Sequence, residues 1–203
     1  MDVAGTLFLL GLQFFAAVLG DVKFSVSDCS QNRESELLGF TSAQVTASYP
    51  IPVPGDIHVT GALAVHRDAT GDVSLDVIIE RYLGFFWLDV PCISGVGSCK
   101  YPNACGMLSS AFGNGTAGCP AQLVDANIPC TCPIRAGTYT LNNASFTIPE
   151  VSGIWSWLAE GDYRVTAKLI DNPTGQELAC QHLEMTLVDG HPSCSGFLCS
   201  IFG

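Results

Sequence analysis

The chain has 203 residues, ten cysteines and a formal net charge of −11. That length suits one ordinary domain or two small ones, and the cysteine count argues against a reducing compartment. The acidic balance argues against nucleic acid, which needs lysine and arginine to displace phosphate counterions, and against steady adhesion to anionic membranes at neutral pH. At acidic pH carboxylates protonate and His58, His66, His182 and His191 charge, so transient approach to a membrane surface is favoured there.

Val3 to Gly20 is almost entirely apolar and ends in small side chains, Val18 and Gly20, ahead of a cleavage point. Residues 1–20 are read as a signal peptide; the competing reading is a membrane anchor, since about 18 apolar residues border on spanning length. Gln44 to Tyr49 is a weak strand candidate. Tyr49-Pro50-Ile51-Pro52-Val53-Pro54-Gly55 reads as an extended edge or crossover, because three prolines remove three ladder donors. Ile57, Val59, Leu63 and Val65 then alternate with polar residues. So do Val73, Leu75, Val77 and Ile79, with Ile78 breaking the pattern. The turn-like Ala69-Thr70-Gly71-Asp72 between these two runs reads as a hairpin.

Phe85 to Val90 is a further weak strand candidate, and Asn103 to Phe112 is the best short helix. Thr138 to Leu141 and Ser145 to Ile148 read as two short strands. Tyr163, Val165, Ala167 and Leu169 alternate strongly, as do Leu183, Met185 and Leu187, and Asp171-Asn172-Pro173-Thr174-Gly175 joins them as a hairpin. About eight short strands without βα alternation imply an all-β fold of two stacked antiparallel sheets. Residues 190–203 lack strand alternation, contain Cys194 and Cys199, and read as a C-terminal extension.

Signal removal leaves Cys29, Cys92, Cys99, Cys105, Cys119, Cys130, Cys132, Cys180, Cys194 and Cys199, an even set that suggests disulfides; spacing alone does not select the pairing. Six lie between Cys92 and Cys132, the stretch poorest in strands, where staples replace packing. Cys130-Thr131-Cys132 has neither the usual zinc spacing nor the redox spacing, so no metal is expected. Asn114-Gly115-Thr116 and Asn143-Ala144-Ser145 fit the glycosylation pattern.

Two apolar clusters stand out. Phe85, Phe86 and Trp87 follow Gly84, and Val151, Ile154, Trp155, Trp157 and Leu158 lie between Pro149 and Gly161. Such residues either fill a sandwich core or form a mouth that faces lipid, where tryptophan and phenylalanine suit the interface. No catalytic or nucleotide-binding fingerprint occurs, so no cofactor is implied and catalysis is the weaker reading.

Beyond these patterns, Pro91-Cys92, Gly97-Ser98-Cys99, Cys105 and Pro129-Cys130-Thr131-Cys132-Pro133 with Gly137-Thr138-Tyr139 resemble the ganglioside GM2 activator protein family. Pro52-Val53-Pro54-Gly55, Val73-Ser74-Leu75-Asp76-Val77, Trp87 ahead of Pro91, and Ser156-Trp157-Leu158 before Gly161-Asp162-Tyr163-Arg164 extend the match over Phe24 to Asp189. The resemblance implies a β-cup around an apolar cavity, here residues 21–189, with lipid-contacting aromatics at Trp87 and Trp157. It also implies the pairs Cys29–Cys180, Cys92–Cys99, Cys105–Cys132 and Cys119–Cys130, leaving Cys194–Cys199. By the same resemblance the protein extracts a glycosphingolipid, or a related lipid such as a phospholipid, and presents it to a soluble hexosaminidase in the lysosome. A secreted carrier without an activator role, in extracellular fluid, and a β-sandwich interaction module without a cavity are the alternatives.

Overall fold

A computed structural model describes residues 24–31, 36–40, 45–69, 71–113 and 118–191. The signal segment 1–20, Asn114, the Cys194–Cys199 pair and most of the extension therefore lie outside the described residues. Among the described residues there are eleven strands: β1 (Ser25–Asp28), β2 (Leu38–Phe40), β3 (Thr46–Ala47), β4 (Ile51–Val53), β5 (Gly55–Val65), β6 (Val73–Tyr82), β7 (Trp87–Asp89), β8 (Lys100–Tyr101), β9 (Gly137–Ile148), β10 (Gly161–Asp171) and β11 (Glu177–Asp189). A seven-stranded sheet runs β1-β11-β10-β6-β7, with β4 added to β11 and β8 to β6. The second sheet has four strands, with β2 and β3 on one edge of β5 and β9 on the other. All pairings are antiparallel except that of β4 with β11.

The four strongly alternating runs became β5, β6, β10 and β11, which with β9 are the long strands that carry both sheets. Period-2 alternation gives each an apolar face for the interior and a polar face for water. The polar phase of the larger sheet is laced by ion pairs: Lys100–Asp76 at 3.3 Å, Arg164–Glu184 at 3.1 Å and Lys168–Glu177 at 3.2 Å. Ile78, which breaks the alternation, lies on this outer face, and its side chain is exposed.

Asp171–Gly175 makes the expected hairpin between β10 and β11. The connection at 69–72 does not make one. β5 and β6 belong to different sheets, and Ala69 bridges to Ile134 instead. A turn-rich sequence permits reversal but does not say which edge the chain meets next, and here it crosses between layers. The two strands expected at 138–141 and 145–148 are one strand, β9. Its ladder with β5 shifts register between Val59 and Gly61, opposite Asn143 in the left-handed region (φ 50°). That bulge absorbs an extra residue without ending the strand. β7 begins only at Trp87, because Leu83 to Phe86 form a tight turn closed by the Leu83 N–H donating to the Phe86 carbonyl.

The proline-rich segment is an edge and a crossover: β4 pairs with β11, and β5 follows at once in the other sheet. The short helix expected after Asn103 is α1 (Ala104–Leu108), capped by the Asn103 side chain accepting from Gly106 N–H at 2.7 Å and continued by a π turn over Ser109–Gly113. A second short helix, α2 (Ala121–Asp125), had no clear periodic signal.

The two sheets pack against each other at the end opposite the β4–β5 crossover. Leu37, Ala69, Val73 and Leu178, only 2–7% exposed, form the seam, with Ala104, Cys105, Ile134 and Leu169 packed against it. The disulfides Cys29–Cys180, Cys92–Cys99, Cys105–Cys132 and Cys119–Cys130 are formed, and Cys105–Cys132 ties α1 to the seam's edge. Asp68 straps the crossover to the start of β9, accepting from Ala136 N–H at 2.8 Å and from Arg135 at 2.7 Å. The Ala136 N–H, and then the Arg135 guanidinium, hold the Asp68 carboxyl below its ordinary value.

A carboxyl lowered on folding stabilises the native state above its unfolded pKa and ceases to do so as pH falls through its folded pKa. Asp68→Asn is therefore expected to lower the denaturation midpoint at neutral and mildly acidic pH. The gap to wild type should close as pH drops below about 4, measured by chemical denaturation across a pH series. A gap that persists or widens at the acidic end would contradict the strap.

Candidate functional site

Between the two ends the central inner faces are apolar but only half-buried. Register places Val77, Ile79, Val165, Ala167, Leu183 and Met185 on the inner face of the larger sheet, and all are only half-buried. On the smaller sheet Val59, Leu63, Tyr139 and Leu141 share the inner phase and are also half-buried. In a solid sandwich, such central apolar residues are the ones removed from water. Here the seam meets that condition at one end and Ile51, Val53, Val90 and Tyr163 meet it at the other, while the central strand residues between them do not, which leaves a hollow between the layers.

Two apolar recesses of about 180 Å³ each mark it. One lies on the larger sheet between Ile79, Val165, Met185, Val90 and Leu158. The other lies on the smaller sheet between Val59, Leu63, Tyr139, Leu141 and Ile128. The Cys92–Cys99 loop contributes Val96 and Gly97 to the first. Gly97 is required there: its φ is +106°, and a Cβ would lie 2.2 Å from the Pro91 carbonyl oxygen.

The end opposite the seam is the mouth, where β6 finishes and β10 begins. Register pairs Arg81 with Tyr163 there, and two chain reversals carry the aromatic clusters around them. In the first, Phe85 is 83% exposed, with Leu83, Phe86 and Leu88 also exposed. The turn itself is ordered: besides the Leu83–Phe86 bond, the Tyr82 hydroxyl donates to the Gly84 carbonyl. Phe85 and Phe86 pack edge to face at 4.8 Å between centroids. Trp87 faces outward, its ring 5.1 Å from that of Tyr82 and stacked under the Arg164 guanidinium at 3.9 Å. It flanks the mouth without lining the hollow.

The second reversal is a 3-10 helix, Gly153–Leu158, where a loop was expected. Trp157 is 43% exposed, whereas Leu158 turns inward to line the larger sheet's recess. Val151 is half-buried, and the side chains of Ile154 and Trp155 lie outside the described residues. Two groups pin this helix to the sheet. Arg81 donates from Nε and Nη2 to the Glu160 carbonyl at 3.2 and 2.9 Å, its guanidinium 5.5 Å from the Trp157 ring. The Tyr163 hydroxyl donates to the Leu158 carbonyl at 2.9 Å, and burial pushes its pKa up, keeping it a neutral donor. Gly161, with φ +128°, lets the chain turn beneath Arg81; a Cβ would come within 3.1 Å of Arg81 Nε.

The aromatic clusters were visible as clusters, but the groups that position them were not singled out. Arg81 had a signal: it continues the inner phase of Val73, Leu75, Val77 and Ile79, so alternation puts a cation at the mouth. Ile93 and Val96, exposed in the Cys92–Cys99 loop, had only the glycines around them. Asn143 is exposed on the β9 bulge, its N–H donating to Thr60 Oγ1. His58, His66 and His191 are exposed, and His182 sits on the outer face, its Nδ1 3.0 Å from Thr166 Oγ1. Among the described residues no cluster of three His, Cys, Asp or Glu side chains fits a metal.

Residues 23–187 match the family model described as the ML domain. The chain is 30% identical over 164 residues to the ganglioside GM2 activator of Mus musculus, covering 81% of this chain and 81% of that protein. It is 27% identical over 188 residues to the ganglioside GM2 activator of Macaca fascicularis, covering 91% and 95%. Among solved structures it is similar to a Niemann-Pick type C2 protein from Japanese carpenter ant, with a TM-score of 0.38 and 12% identity over 81% of this chain and all of that one. It is also similar to chicken MD-1 complexed with lipid IVa, with a TM-score of 0.35 and 12% identity over 80% and 88%.

Arg81→Ala is expected to release the 3-10 helix by removing two charge-assisted donors. Amides in 153–160 should exchange up to about tenfold faster, a loss of about 1 kcal/mol locally. Exchange in β10 and β11 should stay unchanged, as followed by hydrogen–deuterium exchange. Unaltered exchange in 153–160 would show that Arg81 does not hold this segment.

Proposed function

The chain belongs to the ML-domain family, and we propose that it is a non-catalytic lipid-binding protein that draws a lipid from a membrane into the hollow between its sheets. The observation that carries this reading is the half-buried apolar interior opening at an apolar mouth. Moving a 16-carbon chain from a bilayer into water costs about 13 kcal/mol at about 0.8 per methylene. Only an interior lined as this one is would recover most of that. Each recess is smaller than the roughly 300–1,000 Å³ of a drug-sized site, so the ligand spans both inner faces.

The mouth supplies the membrane contact. A contiguous exposed apolar surface on a soluble domain marks a docking surface, and Leu83, Phe85, Phe86 and Trp157 have the side chains that suit a lipid interface. Trp87, stacked on Arg164, buttresses the first turn, and Val151, Ile154, Trp155 and Leu158 complete the apolar character of the second. Glu150 and Glu160 flank the Trp157 segment and are exposed, so docking on anionic bilayers is weakest at neutral pH and strengthens as carboxylates protonate.

In the finer form of this reading, the ligand is a glycosphingolipid whose head group is presented to a soluble hydrolase of the hexosaminidase class, in a lysosomal or extracellular part of the secretory pathway. The activator relatives support it, as does the disulfide framework, which suits that pathway. Asn143 is a glycosylation site in the same reading, and a glycan on the β9 bulge stands away from the mouth.

Two variants separate docking from occupancy. Phe85→Ser with Trp157→Ala should weaken liposome binding at acidic pH by about 10–100-fold, the loss of one or two buried aromatics. Surface positions such as these should move stability by only about 0.5 kcal/mol. Leu183→Trp should instead fill the hollow, leave liposome binding intact and abolish lipid transfer between vesicles. Full transfer by both variants, or protein purified without detergent that carries no lipid by mass spectrometry and takes none up, would refute the reading.

A further inference from the structure

Between the mouth and the seam, the inner phase of β11 carries one polar residue, Gln181, that does not belong in a hydrocarbon site. Gln181 follows the same phase of β11 as Leu183, Met185 and Leu187, which points its side chain inward. It is 9% exposed, and neither Oε1 nor Nε2 has a hydrogen-bond partner among the described residues. Its neighbours across the ladder are Ala167 on β10 and Asp28 on β1. Asp28 accepts from Ser30 N–H at 2.7 Å. Both amide atoms are shielded from water, and the flanking alanines, Ala167 and Ala179, offer them no polar partner.

A buried amide without partners is costly, and native interiors contain few of them. The register shows where this one sits. Ile79 and Val165, which line the larger sheet's recess, share a rung with Leu183; Gln181 is one rung further from the mouth, about 7 Å deeper at about 3.4 Å per residue. Leu187, at the mouth, is about 20 Å away on the same scale. A lipid with its head group at the mouth and a plain acyl chain inside would lay methylenes against the amide and leave it unpaired.

We propose that Gln181 anchors the ligand inside the cup, selecting an apolar molecule that carries a hydroxyl group into the interior. This rests on the cup being a lipid site and adds the chemistry it selects. The side chain presents one acceptor oxygen and two N–H donors. A hydroxyl is both donor and acceptor, so it satisfies Oε1 and Nε2 together. An ether or ester oxygen answers only the N–H. A site built to hydrogen-bond a hydroxyl discriminates against the analogue lacking it, because the protein's own polar atoms are then left unpaired.

The test uses two matched pairs of probes on the full secreted chain: hexadecan-1-ol against its methyl ether, and cholesterol against its 3-methyl ether. Affinity is read by displacement of a fluorescent fatty-acid probe. Wild type is expected to bind the alcohol at least about tenfold more tightly than the ether in one pair, and the responding pair distinguishes a straight-chain from a sterol source. Gln181→Met, close to isosteric, and Gln181→Leu, as a second variant, should lose the preference while ether affinity stays within about threefold. Both should match or exceed wild-type thermal stability, because the unpartnered amide is gone. Equal binding of alcohol and ether in both pairs by wild type would overturn the proposal and leave the cup intact, as would a preference that survives both substitutions. Failure to bind the fluorescent probe or any of the four compounds would overturn the cup reading as well.

Discussion

The structure depends on its sheets touching only at their ends, at the packed seam on one side and at the β4–β5 crossover on the other. The seam of Leu37, Ala69, Val73 and Leu178 is a small core, and beyond it the layers do not fill the space between them. Small seams hold poorly without help, since a domain's stability is a small difference between burial and chain entropy. Covalent closure supplies it. Cys29–Cys180 ties the first strand to the last across 151 residues. Cys105–Cys132 and Cys119–Cys130 brace the strand-poor region beside the seam. Native bridges contribute about 2–4 kcal/mol each, which lets the protein forgo the burial that a filled interior would provide.

That arrangement makes the hollow a consequence of how the molecule is held. Apolar inner faces left half-exposed are unfavourable in the empty protein and favourable once hydrocarbon covers them, so the ligand completes the core. The outer face of the larger sheet carries its own ion pairs: Arg164 with Glu184, Lys168 with Glu177, Lys100 with Asp76. The polarity of the two faces is therefore not interchangeable, and a one-residue slip in any long strand would invert it.

The mouth combines order with exposure. The Leu83–Phe86 turn and the Gly153–Leu158 helix have satisfied hydrogen bonds at their anchor points, yet present Phe85, Phe86 and Trp157 to water. Fixing such side chains before contact lowers the ordering cost that binding otherwise incurs. Arg81 is central to this, since it joins the rim helix to the strand that also carries the interior.

Much of this was legible from residues alone. Alternation identified β5, β6, β10 and β11 and their inner phases, because strand geometry is local and repeats every two residues. Cysteine number identified a stapled chain, and the motifs around Cys92–Cys132 identified its family. The same alternation carried Arg81 and Gln181 inward, although neither drew notice beside the aromatics. What local spacing could not decide was where each strand went next. The turn at 69–72 looked like a hairpin and proved to be a crossover, because Ala69 found Ile134 rather than β5 as its partner. Nor could it decide whether the aromatics near 85 and 157 filled a core or stood at a mouth. Side chains in a sandwich are buried by the opposing layer, and the distance between layers is set by contacts among residues far apart in the chain. Only the assembled sheets, packed together at the Val73 end and linked by the β4–β5 crossover at the other, determine that distance.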